Sequence, residues 1–520
     1  MTARFVQMAI AALPLLMFMP ADAQTRGGTL GLSINQDPPT LSPAGSSVTV
    51  VQYIGSKVLQ GLLSYGTDLK PRGELAKSWT ISPDGLTYSF QLQPNVKWND
   101  GKPFTAADAE FSIGKMLPVT HLRTRNVLNV YVESVKAIGE LGLEIRLKTP
   151  FPPFIYMFES GTMPMMPRHI YEGTDYTSNP ANQKPVGTGP FMVKDWKRGA
   201  YIRLERNPLY WKKDLPYLDG VIYHVIPDAS SRAVAFEKGD VQLTTSIDLE
   251  VSDVNRLKKN KGIESTTKGW ELFSPTLHLE LNQRKAPFNN VKVRQAIQYA
   301  LDRSFIVNTV FEGANRPATG AFSYSELFYR KDVQQYPFDL AKAKALIKES
   351  GVDVSKTVVR YMPPPMGGNY DRMNEYVKQM LEQIGFRIDL QSADVGTWST
   401  RISNWDFDMT FKYVYQYGDP SLGVERLYAS KSIIKGTPFV NNAGYSNPVV
   451  DELWAKAGAE LDPQKRGKMY SDLQGILAQD VANNWLMDLE ISTLARTNVK
   501  QYNTNGHTVT DSLDSTYLQK

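Results

Sequence analysis

The chain has 520 residues, carries a net charge of +5 at neutral pH, and is 42% hydrophobic and 21% charged, a balance that excludes both a disordered chain and a membrane bundle. Its length calls for two or three packed units, and its scattered Lys and Arg residues argue for a solvated surface and against a nucleic-acid footprint. There are no cysteines, so lipid attachment at an N-terminal Cys, thiol catalysis and disulfide staples are excluded.

Residues 1–23 read as a secretory leader, with Arg4 ahead of an apolar run from Met8 to Met19 and a small-residue site at Ala21-Asp22-Ala23. The run is too short to span a bilayer, and no later stretch is apolar enough to do so. Cleavage is expected after Ala23, leaving a free periplasmic chain that starts at Gln24.

Residues 28–34 alternate as a strand, and residues 49–63 place Val51, Ile54, Val58, Leu59 and Leu62 on one helical face. Residues 87–92 and 143–147 are strands, and Thr105 with Asp108 forms a capping box that opens a helix through Met116. Gly187 and Gly189 supply backbone freedom, and Pro185 and Pro190 stop any helix. Residues 191–195 and 201–205 then make a hairpin that Asn207-Pro208 breaks. Leu277, Leu279 and Leu281 face one side of a strand, and His278, Glu280 and Asn282 the other. Helices follow at 339–350 and 371–384, stopped by Gly351 and Gly385, then a strand at 386–390 and a helix opened by Asp462-Pro463.

Several phrases in order are more specific than any of these periodicities: DPPTLSP at 37–43, PVGTGPF at 185–191, RNPLYW at 206–211, LDGV at 218–221, IPD at 226–228, VRQAIQYALDR at 293–303 and GYSNPVVDEL at 444–453. Together with the run at 61–108, they make the chain closely resemble the peptide and nickel family (family 5) of extracytoplasmic solute-binding proteins that serve ABC importers. The resemblance covers nearly the whole chain. It implies an α/β fold of two lobes joined by a hinge, with an extra subdomain inserted in lobe one. The expected boundaries are 24–44, 186–275 and 488–520 for the main part of lobe one, 45–185 for the inserted subdomain, and 276–487 for lobe two.

The resemblance also implies a function: capture of a small peptide or peptide-like solute in the interlobe cleft by a monomer, for delivery to a permease and ATPase pair. No cofactor, metal, nucleic acid or membrane-embedded part is implied. It places Phe273, His278, Trp398, Tyr413, Tyr415, Gln416 and Trp485 on the cleft walls, where aromatic faces suit an enclosed solute. Each of the aromatics has core packing as its bland alternative, and His278 is open between a satisfied structural histidine and a ligand contact. Asp419, in the turn GDP, reads as structural.

Gln416 departs from the pattern. It falls four residues before Pro420, where peptide binders of the family carry an Asp that pairs with the solute's ammonium. An amide gives no ion pair, which leaves open a second class of cargo: opine-like conjugates, sugars or metal chelates. A secreted hydrolase is the rival from another class. The five histidines are far apart, with neither HExxH nor GxSxG in the chain. A sensor partner that docks on a chemoreceptor would use the same fold.

Overall fold

The structure is a computed structural model that describes residues 24–46 and 48–520, so the leader read at 1–23 lies outside the described residues. Three sheets organise it. A seven-stranded sheet has the order Ile263–Thr266, Thr493–Arg496, Leu243–Thr245, Thr29–Ile34, Gly220–Val225, Tyr201–Arg206 and Phe191–Lys197. A six-stranded sheet has the order Arg316–Pro317, Asn484–Asp488, Thr276–Leu281, Met409–Val414, Val358–Tyr361 and Arg387–Leu390. A four-stranded antiparallel sheet, Ala76–Ile81, Thr87–Leu92, Gly142–Leu147 and Val132–Ile138, lies in sequence between the first strand of the seven-stranded sheet and the hairpin that ends it.

The chain passes from the seven-stranded to the six-stranded sheet through residues 267–275 and returns through 489–492, which gives two lobes and two connectors. Two short connectors permit hinge closure, and Leu327 and Leu422 of lobe two also pack on the core under the four-stranded sheet. The lobes also touch outside the connectors: Asn255 Nδ2 donates to Glu312 Oε2 at 3.0 Å.

The glycines of the 185–191 run act by close approach. A Cβ on Gly187 would lie 1.8 Å from the Val58 carbonyl oxygen, and one on Gly189 2.7 Å from that of Lys57. Neither glycine has a positive φ. Gly189 N–H donates to Val58 O at 2.8 Å and Phe191 N–H to Lys57 O at 3.0 Å. Those carbonyls are therefore taken by another part of the chain, and the helix that apolar spacing would carry to residue 63 is only Thr49–Gly55. Here tertiary hydrogen bonds override local periodicity.

Other local signals act as read. Thr105 N–H donates to Asp108 Oδ2 at 2.9 Å in the capping box of helix Ala106–Phe111. Asp339 caps Leu340–Ser350, and Gly351 ends it at φ 69°. The helix expected at 371–384 begins earlier, as Gly368–Gln383.

In the six-stranded sheet, every residue of the strand Thr276–Leu281 is buried, the polar face included. Helices cover both sides, so the alternation of Leu with His and Glu does not mark a solvated face here. Glu280 instead forms an enclosed ion pair with Lys412 at 2.5 Å, and Lys412 Nζ donates to Asn442 Oδ1 at 2.9 Å. His278 lies beside Lys412 on one neighbouring strand and Trp485 on the other.

Candidate functional site

Between the lobes lies a cavity of about 460 Å³, walled by both lobes and by both connectors. That volume is typical of small-molecule sites. Its aromatic lining is Tyr53 from lobe one, Trp270 from the first connector, and Phe311, Tyr370, Tyr413 and Tyr415 from lobe two. Tyr413 and Tyr415 sit at the end of strand Met409–Val414 and just beyond it, two residues apart, so alternation aims both rings to the same side. Their rings meet edge to face with centroids 5.8 Å apart. Tyr370 stacks on Phe411 at 5.7 Å, which fixes its ring from behind. Trp270 Nε1 donates to Thr493 Oγ1 at 3.2 Å and so ties the first connector to the strand that follows the second.

Charges of both signs reach the cavity: Arg232, Asp248, Glu250, Lys258 and Glu490. Most are committed. Arg232 donates to the backbone carbonyls of Asp248, Ile226 and Pro227, each at 2.7 Å. Asp248 Oδ2 accepts from Thr245 Oγ1 at 2.6 Å, and burial holds its carboxyl above the ordinary range. Glu490 is paired with Arg316 and accepts from Tyr324 at 3.2 Å. Burial lowers the Lys258 ammonium, an effect that Glu490 partly offsets. Below the floor, Lys57 lies with its ammonium 4.9 Å from the Tyr53 ring centre, and burial pushes it down to about 7 against the opposing charge of Asp511.

The seven residues expected on the cleft wall divide. Tyr413 and Tyr415 line the cavity. Phe273 is buried in the first connector, one layer back, sandwiched between Tyr415 at 3.9 Å and His507 at 4.0 Å. The other four are enclosed in lobe two, and their expected place on the wall is corrected. Trp398 packs with Met362, Ile402 and Phe407, and its Nε1 donates to Thr410 Oγ1 at 3.0 Å. Trp485 is in the core against helix Pro463–Asp480, with Nε1 donating to Tyr428 Oη at 2.9 Å. His278 is buried beside Lys412, and desolvation pushes its imidazole down to about 3.

Gln416 is 3% exposed, with both ends of its amide satisfied within lobe two: Ser323 N–H donates to Oε1 at 3.1 Å and Nε2 donates to Thr276 Oγ1 at 2.9 Å. It points away from the cavity because residues beyond Val414 leave the strand and fold under the short helix Pro420–Gly423, where a Cβ on Gly423 would meet Gln416 backbone at 2.3 Å. Asp419 caps that helix and pairs with Arg466 at 2.8 Å, a structural role.

Sequence reasoning missed Tyr53, Trp270, Phe311, Tyr370 and the segment from Met366 to Asn369. The doublet Gly367-Gly368, following Pro363 to Pro365 and opening a helix, is the signal that marks the last of these. Among the described residues no cluster of three or more His, Cys, Asp or Glu side chains converges as a metal site, and no helix is long and apolar enough to cross a membrane.

Comparison with known proteins agrees with this architecture. The chain is 28% identical over 480 residues to the glutathione-binding protein GsiB of Salmonella typhimurium, covering 90% of each chain. The crystal structure of the ABC transporter substrate-binding protein CtaP from Listeria monocytogenes superposes with a TM-score of 0.83 at 26% identity, covering 95% of this chain and 100% of that one. The agropinic acid complex of AgaA from A. tumefacien R10 gives 0.81 at 25% identity, covering 95% and 99%. The family model for the middle region of family 5 bacterial extracellular solute-binding proteins matches residues 70–434, more than half of the chain. Two lobes, two connectors and an enclosed aromatic cavity are thus joined to a sequence match of that extent, and the chain belongs to family 5 of the bacterial extracellular solute-binding proteins.

Proposed function

We propose that this protein is the periplasmic solute-binding component of an ABC importer, that it captures a small peptide or peptide-like solute between its lobes, and that it hands the solute to a membrane permease and ATPase. The observation that carries the reading is the 460 Å³ cavity, bounded by both lobes and both connectors and lined by aromatic rings with charges of both signs. A solute there contacts both lobes at once, so its binding energy favours the closed arrangement. Tyr413 and Tyr415 are the retained wall contacts, joined by Tyr53, Trp270 and Tyr370. The lobes are proposed to divide at 275/276 and 487/488, and the protein to act as a monomer. It is proposed to bind and do no chemistry, a reading supported by relatives that are named for binding.

The kinship with a glutathione-binding protein favours short, acidic, peptide-like cargo. Calorimetric titration with free di- and tripeptides and with glutathione tests the reading. Micromolar binding, about 8 kcal/mol net, is expected for at least one member, with the solute recovered unchanged by mass analysis. Cleavage products, or no heat from any member, would end it.

A further inference from the structure

We propose that Arg123, on the unit built around the four-stranded sheet, and Tyr417 of lobe two form a clasp that holds the lobes closed on their solute. The proposal rests on the solute-binding reading and adds the contact that sets how long the solute stays. The Arg123 guanidinium carbon lies 3.8 Å from the centre of the Tyr417 ring, a stacking distance. The Arg123 side chain is 16% exposed, and a cation is held most strongly by an aromatic face where water is largely excluded. Its Nε and Nη1 have no hydrogen-bond partner, so the ring and the Glu159 carboxylate, 3.6 Å from Nη2, are what answers its charge. When the lobes part, Tyr417 leaves with lobe two, and Arg123 stays with Glu159 and Thr162.

The backbone at Tyr417 is strained in a way that serves this contact. Its φ is 58°, in the left-handed region that a bulky side chain enters at a cost and keeps only where its surroundings hold it there. Arg426 does the holding: its Nε donates to Gly423 O at 3.0 Å and its Nη2 to Tyr415 O at 3.5 Å, which spans the bend that carries Tyr417. The Arg426 guanidinium lies 5.7 Å from the centre of the same ring. The two like charges oppose each other across the seam, and Glu159 offsets that repulsion, which leaves a clasp weak enough to part.

The cavity wall is joined to both halves of the clasp. Tyr415, which lines the cavity, has its ring 6.2 Å from that of Tyr417. Phe273, in the first connector, lies 3.9 Å from Tyr415, 5.5 Å from Tyr417 and 4.0 Å from His507, ring centre to ring centre. His507 Nδ1 is in turn 3.8 Å from Glu159 Oε2, the carboxylate that pairs with Arg123. A solute against Tyr415 and the clasp at Arg123 therefore bias one element with two states, the open and closed lobes.

The test measures association and dissociation rates of the tightest-binding member of the series of di- and tripeptides and glutathione. The proteins are the wild type, Arg123→Met, Arg123→Lys, Tyr417→Leu and the double variant Arg123→Met/Tyr417→Leu, with thermal melts to confirm folding. Arg123→Met and Tyr417→Leu are each expected to raise the dissociation rate about five- to thirtyfold, the range for a desolvated cation on a ring, with association within about twofold of the wild type. Arg123→Lys keeps a cation beside Glu159 and loses the planar stack, so it is expected to fall between. The double variant is expected to dissociate within about twofold of the faster single variant, because both substitutions remove one contact. The chain has no cysteine, so dyes at Ile138→Cys and Val449→Cys, two exposed positions on opposite sides of the seam, read lobe separation by energy transfer. At saturating solute, the variants are expected to keep a larger open fraction than the wild type. Wild-type dissociation in a folded Tyr417→Leu or Arg123→Met, or single effects that add fully in the double variant, would overturn the clasp and leave solute binding intact. Failure of the wild type to bind any member would instead remove the solute-binding reading, and the clasp with it.

Discussion

Gln416 Nε2 donates to Thr276 Oγ1 at 2.9 Å, and Thr276 Oγ1 donates in turn to Asp488 Oδ1 at 2.7 Å. This chain of bonds runs across the points where the polypeptide enters lobe two and leaves it. The Asp488 carboxyl is pushed up to about 7 by burial and is held by Thr276 and by Tyr324 N–H at 3.3 Å. Gln416 thus braces the lobe-two end of the hinge.

Gln416→Asp is accordingly expected to destabilise the protein. A carboxylate cannot replace the donor to Thr276, and it would be buried close to Asp488 without a cation. A loss of roughly 3 kcal/mol or more in chemical denaturation is expected, the scale for an uncompensated buried charge. The ratio of affinities for free and N-acetylated peptides is expected to change by less than about tenfold. A variant of wild-type stability that gained a strong preference for free amines would show that the side chain reaches solute after all.

Tyr413 and Trp398 are expected to separate binding from folding. Tyr413→Ala removes part of the cavity wall and is expected to weaken solute binding by roughly 1 to 3 kcal/mol in calorimetry, with a smaller effect on melting. Trp398→Ala empties a packed site next to Met362 and Phe407 and is expected to cost about 3 to 5 kcal/mol of stability, with affinity retained by the folded fraction. The reverse pattern would move Trp398 to the wall and Tyr413 to the core.

The contrast between these residues shows what was legible in the sequence. Leu277, Leu279 and Leu281, the capping box at Thr105 and the stop at Gly351 are local, and local patterns read correctly. Family phrasing placed the two-lobed architecture. Family resemblance puts Trp485 and His278 on the cleft wall, whereas both faces of their strands are buried and neither residue lines the cavity. The family offset from Pro420 puts Gln416 there too, whereas its amide is held by Ser323 and Thr276, partners that only the folded chain brings together. Trp270 and Tyr53 come from a connector and a shortened helix, and only the folded approach of the two lobes brings them together.

The buried imidazole of His278 predicts acid sensitivity. Its folded value of about 3 lies below the ordinary 6.5, because desolvation and the Lys412 charge disfavour protonation. The unfolded chain therefore binds the extra proton, and the contribution is complete above pH 6.5 and lost as pH falls toward 3. Denaturant midpoints at pH 7 and pH 4 are expected to fall less for His278→Leu than for the wild type, by up to about 3 kcal/mol of free energy. His121, pushed to about 3, and Glu159, held down at about 2, leave a residual acid dependence in both proteins. Identical pH profiles for variant and wild type would remove His278 from this account.

The central claim is that solute sits between the lobes against Trp270, Tyr413 and Tyr415. A crystal structure of the protein grown with the tightest-binding member of the series of di- and tripeptides and glutathione tests it most directly. The account predicts density for the solute inside the interlobe cavity, in contact with those rings. Density for the solute on the outer face of either lobe, with the interlobe cavity holding only water, would contradict it.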